Sequence, residues 1–160
     1  MPAHLNLRRT GLLGLTLVFL TAFSGLELRG QTILSGTYSG GPGSITGDVS
    51  INPSTSATFT SGTTFTGANA TLGNYSTLNW NQNGTLASKT ITAGAAGGYA
   101  YITVGTGNSL TFDSATTVNG NIYFYSYNTG AAIINLGTIN QNAGSGALFA
   151  PTLSNSGSIT

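Results

Sequence analysis

Short stretches in which apolar and polar residues alternate recur along the chain from residue 31 onward. Leu78 and Trp80 alternate with Asn79 and Asn81, and Leu110 and Phe112 with Ser109 and Thr111. A period of two sends one set of side chains to a buried face and the other to solvent, which predicts half-buried strands. Runs of β-formers cover 44–51, 57–65, 75–80, 85–92, 99–104, 109–112, 121–127, 131–139 and 146–153, with Gly and Asn turn signals between them. No helix of useful length fits after residue 30.

Spacing adds register to this pattern. Asn135-Leu136-Gly137-Thr138-Ile139 and Asn155-Ser156-Gly157-Ser158-Ile159 share the form Asn-x-Gly-(Ser/Thr)-Ile, so the motif that opens at position 135 opens again at position 155. Gly43-Ser44-Ile45-Thr46 and Gly84-Thr85-Leu86 are shorter echoes. A period of about 20 residues is one turn of a solenoid, whose rungs stack because none can bury its apolar side alone. Stacking places Ile139 over Ile159, lets outward Asn and Thr form hydrogen-bonded ladders that include Asn135 and Asn155, and uses Gly137 and Gly157 where a corner needs positive φ. Rungs of roughly 20 to 25 residues follow.

The amino-terminal segment, 1–30, has a different layout. Arg8 and Arg9 precede an apolar stretch over 11–20, and small residues follow at Ala22 and Ser24. A charged mouth, a short apolar core and small residues make a secretory signal peptide, and the core falls short of the about 20 residues a spanning helix needs. Cleavage is expected before Gly25 or after Gly30. The arginine pair also partly matches a twin-arginine export signal. The division is therefore a leader over 1–30 and a repeat region over 31–160, in an exported protein that meets a membrane only through its leader.

Removing the leader changes what the composition permits. His4, Arg8, Arg9, Glu27 and Arg29 all precede Gln31, so the repeat region holds only Asp48, Lys89 and Asp113 as charged residues, one lysine against two aspartates. With no histidine, cysteine or glutamate there, converging zinc ligands and a tuned acid/base pair cannot easily be assembled. Phosphate neutralisation by Lys and Arg is missing too, which argues against nucleic acid. The expectation is a chain without cofactor, metal or catalytic activity, stabilised by backbone ladders and packing rather than disulfides.

The Asn-x-Gly-x-Ile pair and the Thr/Gly-rich stretch Gly84-Thr85-Leu86-Ala87-Ser88-Lys89-Thr90-Ile91-Thr92-Ala93-Gly94 resemble the β-helical passenger regions of bacterial autotransporters and filamentous-haemagglutinin-type adhesins. The resemblance covers most of the region after the leader. It implies an all-β, right-handed parallel β-helix at or released from the bacterial outer surface, with adhesive or scaffolding duties and no catalytic residues. The translocator barrel and anchor helix of such proteins do not occur before Thr160, so the chain reads as the front of a longer protein or a remnant of one. An open last rung would favour end-to-end self-association unless capped.

Several residues carry candidate chemistry. Tyr123, Tyr125 and Tyr127 fall on one face of a strand, and Tyr99 and Tyr101 could lie on the neighbouring rung; together they would offer an aromatic platform to an extracellular glycan or a host-surface protein. The competing reading is that tyrosine simply suits exposed strand positions. Lys89 and Asp113 are separated by the length of one rung, which sets them on adjacent turns either as a surface salt bridge or as the acid/base pair of a polysaccharide-cleaving β-helix. Gly40-Gly41-Pro42-Gly43 starts like a calcium-binding nonapeptide, but Ile45 stands where its aspartate belongs. Asn69, Asn74 and Asn83 head glycosylation acceptor triplets. An outer-membrane barrel would need longer strands than these runs supply.

Overall fold

The computed structural model of the chain describes residues 30–94, 98–126, 129–141, 147–149 and 152–160. Among these, seventeen short strands form three parallel sheets, and each circuit of the chain adds one strand to successive faces. The first face holds β1 (Thr32–Leu34), β3 (Val49–Ile51), β5 (Asn69–Leu72), β8 (Thr90–Ala93), β11 (Thr117–Gly120), β14 (Thr138–Asn140) and β17 (Ser158–Ile159) in that order. The second holds β2 (Gly36–Tyr38), β4 (Ser56–Phe59), β6 (Thr77–Trp80), β9 (Ala100–Val104), β12 (Ile122–Tyr125) and β15 (Ala147–Phe149). The third holds β7 (Gly84–Leu86), β10 (Ser109–Phe112), β13 (Ala132–Asn135) and β16 (Thr152–Asn155). In the early rungs the third face is reduced to one bridge, Ile45 to Phe65. This is a parallel β-solenoid, and no helix occurs among the described residues.

Alternation becomes stacking once the register is known. On the first face Val49, Ala70, Ile91, Val118 and Ile139 occupy one buried inward column, which Ile159 continues in register as an exposed residue on the last rung. On the second, Ala57, Leu78, Ile102 and Phe124 do the same, while Phe59 stacks on Trp80 and Trp80 on Val104. Trp80 is fully buried, its ring centroid 6.0 Å from that of Phe59, and its Nε1 donates to the carbonyl of Ser109 at 3.1 Å. The core is therefore a thin apolar rod with one polar atom of its largest side chain satisfied by the third face. Truncating such a residue costs about 3 to 5 kcal/mol.

Outward positions form the expected polar ladders. Asn140 donates from Nδ2 to Asn119 Oδ1 at 2.8 Å and Thr160 Oγ1 to Asn140 Oδ1 at 2.9 Å on the first face. On the second, Thr103 Oγ1 donates to Asn79 Oδ1 at 2.7 Å and Asn79 Nδ2 to Thr58 Oγ1 at 3.2 Å.

The structure redraws several boundaries. The runs over 85–92 and 131–139 are each two strands with a corner between, at Ala87 to Lys89 and at Leu136 to Gly137. Strands β1, β2, β5 and β11 are not marked by the alternation, and β17 is marked only by the repeat motif. Rung length is also less regular than the repeat motif implies, since the step from Ile33 to its partner Ser50 is much shorter than the step from Thr92 to its partner Asn119. Insertions at the corners absorb the difference without shifting inward columns. Residues 1–29, where the leader is expected, lie outside the described residues.

Candidate functional site

Two constellations stand out, one inside a corner and one on the outer surface of the second face. The corner between the third and first faces is where the Asn-x-Gly-x-Ile pair sits. Asn135 and Asn155 are register partners, as are Ile139 and Ile159. The isoleucines stack as expected, but Asn135 is not outward. It is fully buried, with Oδ1 accepting from Gly137 N at 3.2 Å and Nδ2 reaching Asn155 Oδ1 at 2.8 Å and Ser158 O at 3.2 Å. The amide fills the inside of the bend because its donors and acceptor can close the turn and link it to the next rung.

Gly137 and Gly157 are needed here for closeness rather than for positive φ, which neither adopts. A Cβ on Gly137 would strike the carbonyl oxygens of Thr116 and Asp113, and one on Gly157 would strike the carbonyl oxygen of Gly137. The repeat motif thus encodes a tight, self-bonded corner, and it is a structural element rather than a binding site.

On the second face the structure gathers Tyr99, Tyr101, Tyr123 and Tyr125, and adds Tyr75. Tyr101 lies directly over Tyr123 in the β9–β12 register. Ring centroids are 4.9 Å apart for Tyr75 and Tyr99, 4.8 Å for Tyr99 and Tyr123, and 5.8 Å for both Tyr101–Tyr123 and Tyr101–Tyr125. Tyr127 lies outside the described residues. The rings form a mixed cluster rather than one plane: Tyr75–Tyr99, Tyr99–Tyr101 and Tyr101–Tyr125 meet at 86°, 85° and 68°, while Tyr101–Tyr123 and Tyr123–Tyr125 are inclined by 46° and 31°. Edge-to-face packing suits the quadrupoles of the rings. A hydrogen bond with Tyr99, then burial and the neighbouring phenols, push the Tyr101 hydroxyl up to about 12. Tyr75 is not singled out by strand alternation, although the step from Tyr75 to Tyr99 equals the step from Tyr99 to Tyr123.

Beside this cluster runs a groove of about 510 Å³. Tyr101 and Tyr125 flank it, Thr58, Thr77, Asn79 and Thr103 supply hydroxyl and amide groups, and Asn81 and Gly105 border it at the corner. None of its lining residues is charged.

The charged residues cluster elsewhere, at the corner between the third and first faces. Lys89 Nζ donates to Gly67 O at 2.6 Å and Phe65 O at 3.0 Å and lies 4.6 Å from the centroid of the Phe65 ring. Burial lowers its pKa, while Asp48 and Asp113 oppose that shift. Asp113 Oδ1 accepts from Ser88 N at 3.0 Å and lies 2.7 Å from Thr116 Oγ1, bonds that hold its carboxyl below the usual range. Asp48 accepts from the backbone and side-chain amides of Asn69. Lys89 and Asp113 do sit on adjacent rungs, but the ammonium addresses carbonyls of the preceding rung and the carboxylate fastens the bend at Ser88. Both groups bind main chain.

The remaining motifs are absorbed by the fold. Gly40 to Gly43 make a bend in which Gly43 N donates to Thr64 Oγ1 at 2.8 Å. Asn69 and Asn83 link rungs, Asn83 by accepting from Ser109 N at 2.8 Å. Among the described residues no group of three or more His, Cys, Asp or Glu could hold a metal ion. No protein-family model, curated protein or solved structure matches the chain.

Proposed function

We propose that the chain is an exported, surface-exposed structural module, a β-solenoid that displays its faces in the manner of an adhesin and performs no catalysis. The observation that carries this reading is the distribution of charge on the solenoid. Asp48, Lys89 and Asp113 are all engaged in closing one corner, while outer positions of the first and second faces carry uncharged ladders of Thr and Asn beside the tyrosine cluster. Repeated rungs make a rod whose surface is long relative to its core, a shape that suits presentation. Like charges stacked at rung spacing would repel, so a neutral surface is the natural composition for it.

The leader expected over residues 1–30 supports export, and the resemblance to autotransporter passengers and filamentous-haemagglutinin-type adhesins supports the outer surface as destination. The test is protease treatment of intact producing cells, followed by intact-mass measurement of the chain from cell-surface, medium and cytoplasmic fractions. The expected result is a leader-cleaved product outside the cytoplasm, accessible to protease. An uncleaved chain confined to the cytoplasm would overturn the reading.

A further inference from the structure

We propose that the groove on the second face binds an uncharged polysaccharide, laid lengthwise along the solenoid axis. The proposal takes its biological use from the surface-display reading, while the binding itself depends only on the groove. Three features of the site select this class of ligand.

The first is the pairing of surfaces within one groove. Tyr101 borders the groove from the neighbouring row and Tyr125 continues the floor row beyond Thr103, while Thr58, Asn79 and Thr103 offer hydroxyl and amide groups along that row. A sugar ring presents the same division, with apolar C–H faces and a rim of hydroxyls that both donate and accept. Phenol, hydroxyl and amide groups complement all of these without needing a change of protonation.

Charge provides the second. None of the groove's lining residues carries a charge, and the three charged side chains of the described region bind main chain or Asn69 at another corner. An anionic or cationic polymer would lose hydration here with no countercharge in return, so the groove discriminates in favour of neutral chains.

Direction is the third. Thr58 pairs with Asn79, Asn79 with Thr103, and Thr103 with Tyr125, so these residues follow one another across successive rungs. At about 4.8 Å per rung the row extends roughly 14 Å along the axis, which fits a linear polymer better than a compact small molecule. The bonds from Thr103 to Asn79 and from Asn79 to Thr58 fix the floor before any ligand arrives. Preorganisation of that kind lowers the entropy cost of binding.

The experiment is a surface-plasmon measurement with the purified chain over immobilised galactomannan, xyloglucan and a neutral β-glucan, with anionic polygalacturonate alongside. Binding to at least one neutral polymer is expected, with none to polygalacturonate at the same concentration. Tyr101→Ala and Tyr125→Ala should each weaken that binding by about threefold to tenfold, while Tyr125→Phe keeps most of it. Thr92→Ala, on the first face, should leave it unchanged. Far-UV circular dichroism checks each variant's fold; if Tyr101→Ala does not fold, Tyr125→Ala and Asn79→Asp decide the matter.

Failure of every neutral polymer to bind overturns the proposal. So does equal binding of polygalacturonate, or native-like binding by folded groove variants. A purified chain that binds a neutral polymer but is found only in the cytoplasm would sink the display reading and leave the site standing. A surface-exposed chain that binds none would do the reverse.

Discussion

Asn135 donates from Nδ2 to Oδ1 of Asn155 at 2.8 Å, so the two asparagines that mark the repeat are bonded directly to one another across adjacent rungs. Their surroundings differ. Asn135 is fully buried and its Oδ1 also accepts from Gly137 N, whereas Asn155 is exposed. Asn135→Ala would leave a buried backbone donor and the inside of a corner unsatisfied, at a cost of about 1 to 3 kcal/mol. Water can replace the partners of Asn155, so Asn155→Ala should cost less than about 1 kcal/mol. Urea unfolding of the two variants checks this, and equal losses would show that burial does not set the strength of this ladder.

Gly137 supplies a second prediction at the same corner. Its φ is ordinary, so alanine is conformationally acceptable, but a methyl group would meet the carbonyl oxygens of Thr116 and Asp113. Backbone cannot rotate away as a side chain can, and the rung must shift. Gly137→Ala should destabilise by about 1 to 3 kcal/mol, the range for overpacking a tight site. A native-like urea midpoint would mean that the corner is looser than its contacts imply.

These residues also show what the sequence can reveal. The repeat motif correctly places Ile139 over Ile159, because an inward apolar column is the feature that periodicity reports. It does not reveal that Asn135 turns inward, since burying an amide depends on partners in another rung. Nor does it mark the corner at Ser88, a left-handed residue with φ 54° whose bend is fastened by Asp113 from the following rung. The tyrosines are legible as a group, but their arrangement is not. The rung from Thr77 to Tyr101 is longer than the rung from Tyr101 to Tyr123, and this unequal stepping puts Tyr101 over Tyr123 and leaves Tyr99 diagonal to it. The groove needs that register in full, because Thr58, Asn79 and Thr103 become neighbours only through stacking.

Asp113 leads to a prediction about pH. Its pKa is depressed first by the bond from Ser88 N and then by Thr116 Oγ1, with burial opposing. A depressed carboxyl adds stability above its unfolded pKa of about 3.9, and that contribution is lost as pH falls through the lower folded value. Asp113→Asn keeps an acceptor for Ser88 but removes the charge. Its urea midpoint should fall below that of the native chain at pH 7, and the two should converge as the pH is lowered past the native group's folded pKa. A gap that stays constant down to the acid limit would assign the effect to shape instead.

Tyr101 makes the tyrosine cluster measurable without any ligand. Its pKa is raised to about 12, mainly by hydrogen bonding with Tyr99. An unfolded phenol ionises near about 10, so the folded state favours the neutral ring; that stability is complete below the unfolded value and disappears as pH rises through the folded one. Ultraviolet titration by rapid pH jump, before the chain can unfold, should show a tyrosinate step at about 12. Tyr101→Phe should abolish it, and Tyr99→Phe should move it down towards the ordinary range because the principal bond is gone. If Tyr99→Phe leaves the step in place, burial and the charges of Tyr123 and Tyr125 hold the proton instead, and the two rings are packed together without being hydrogen-bonded.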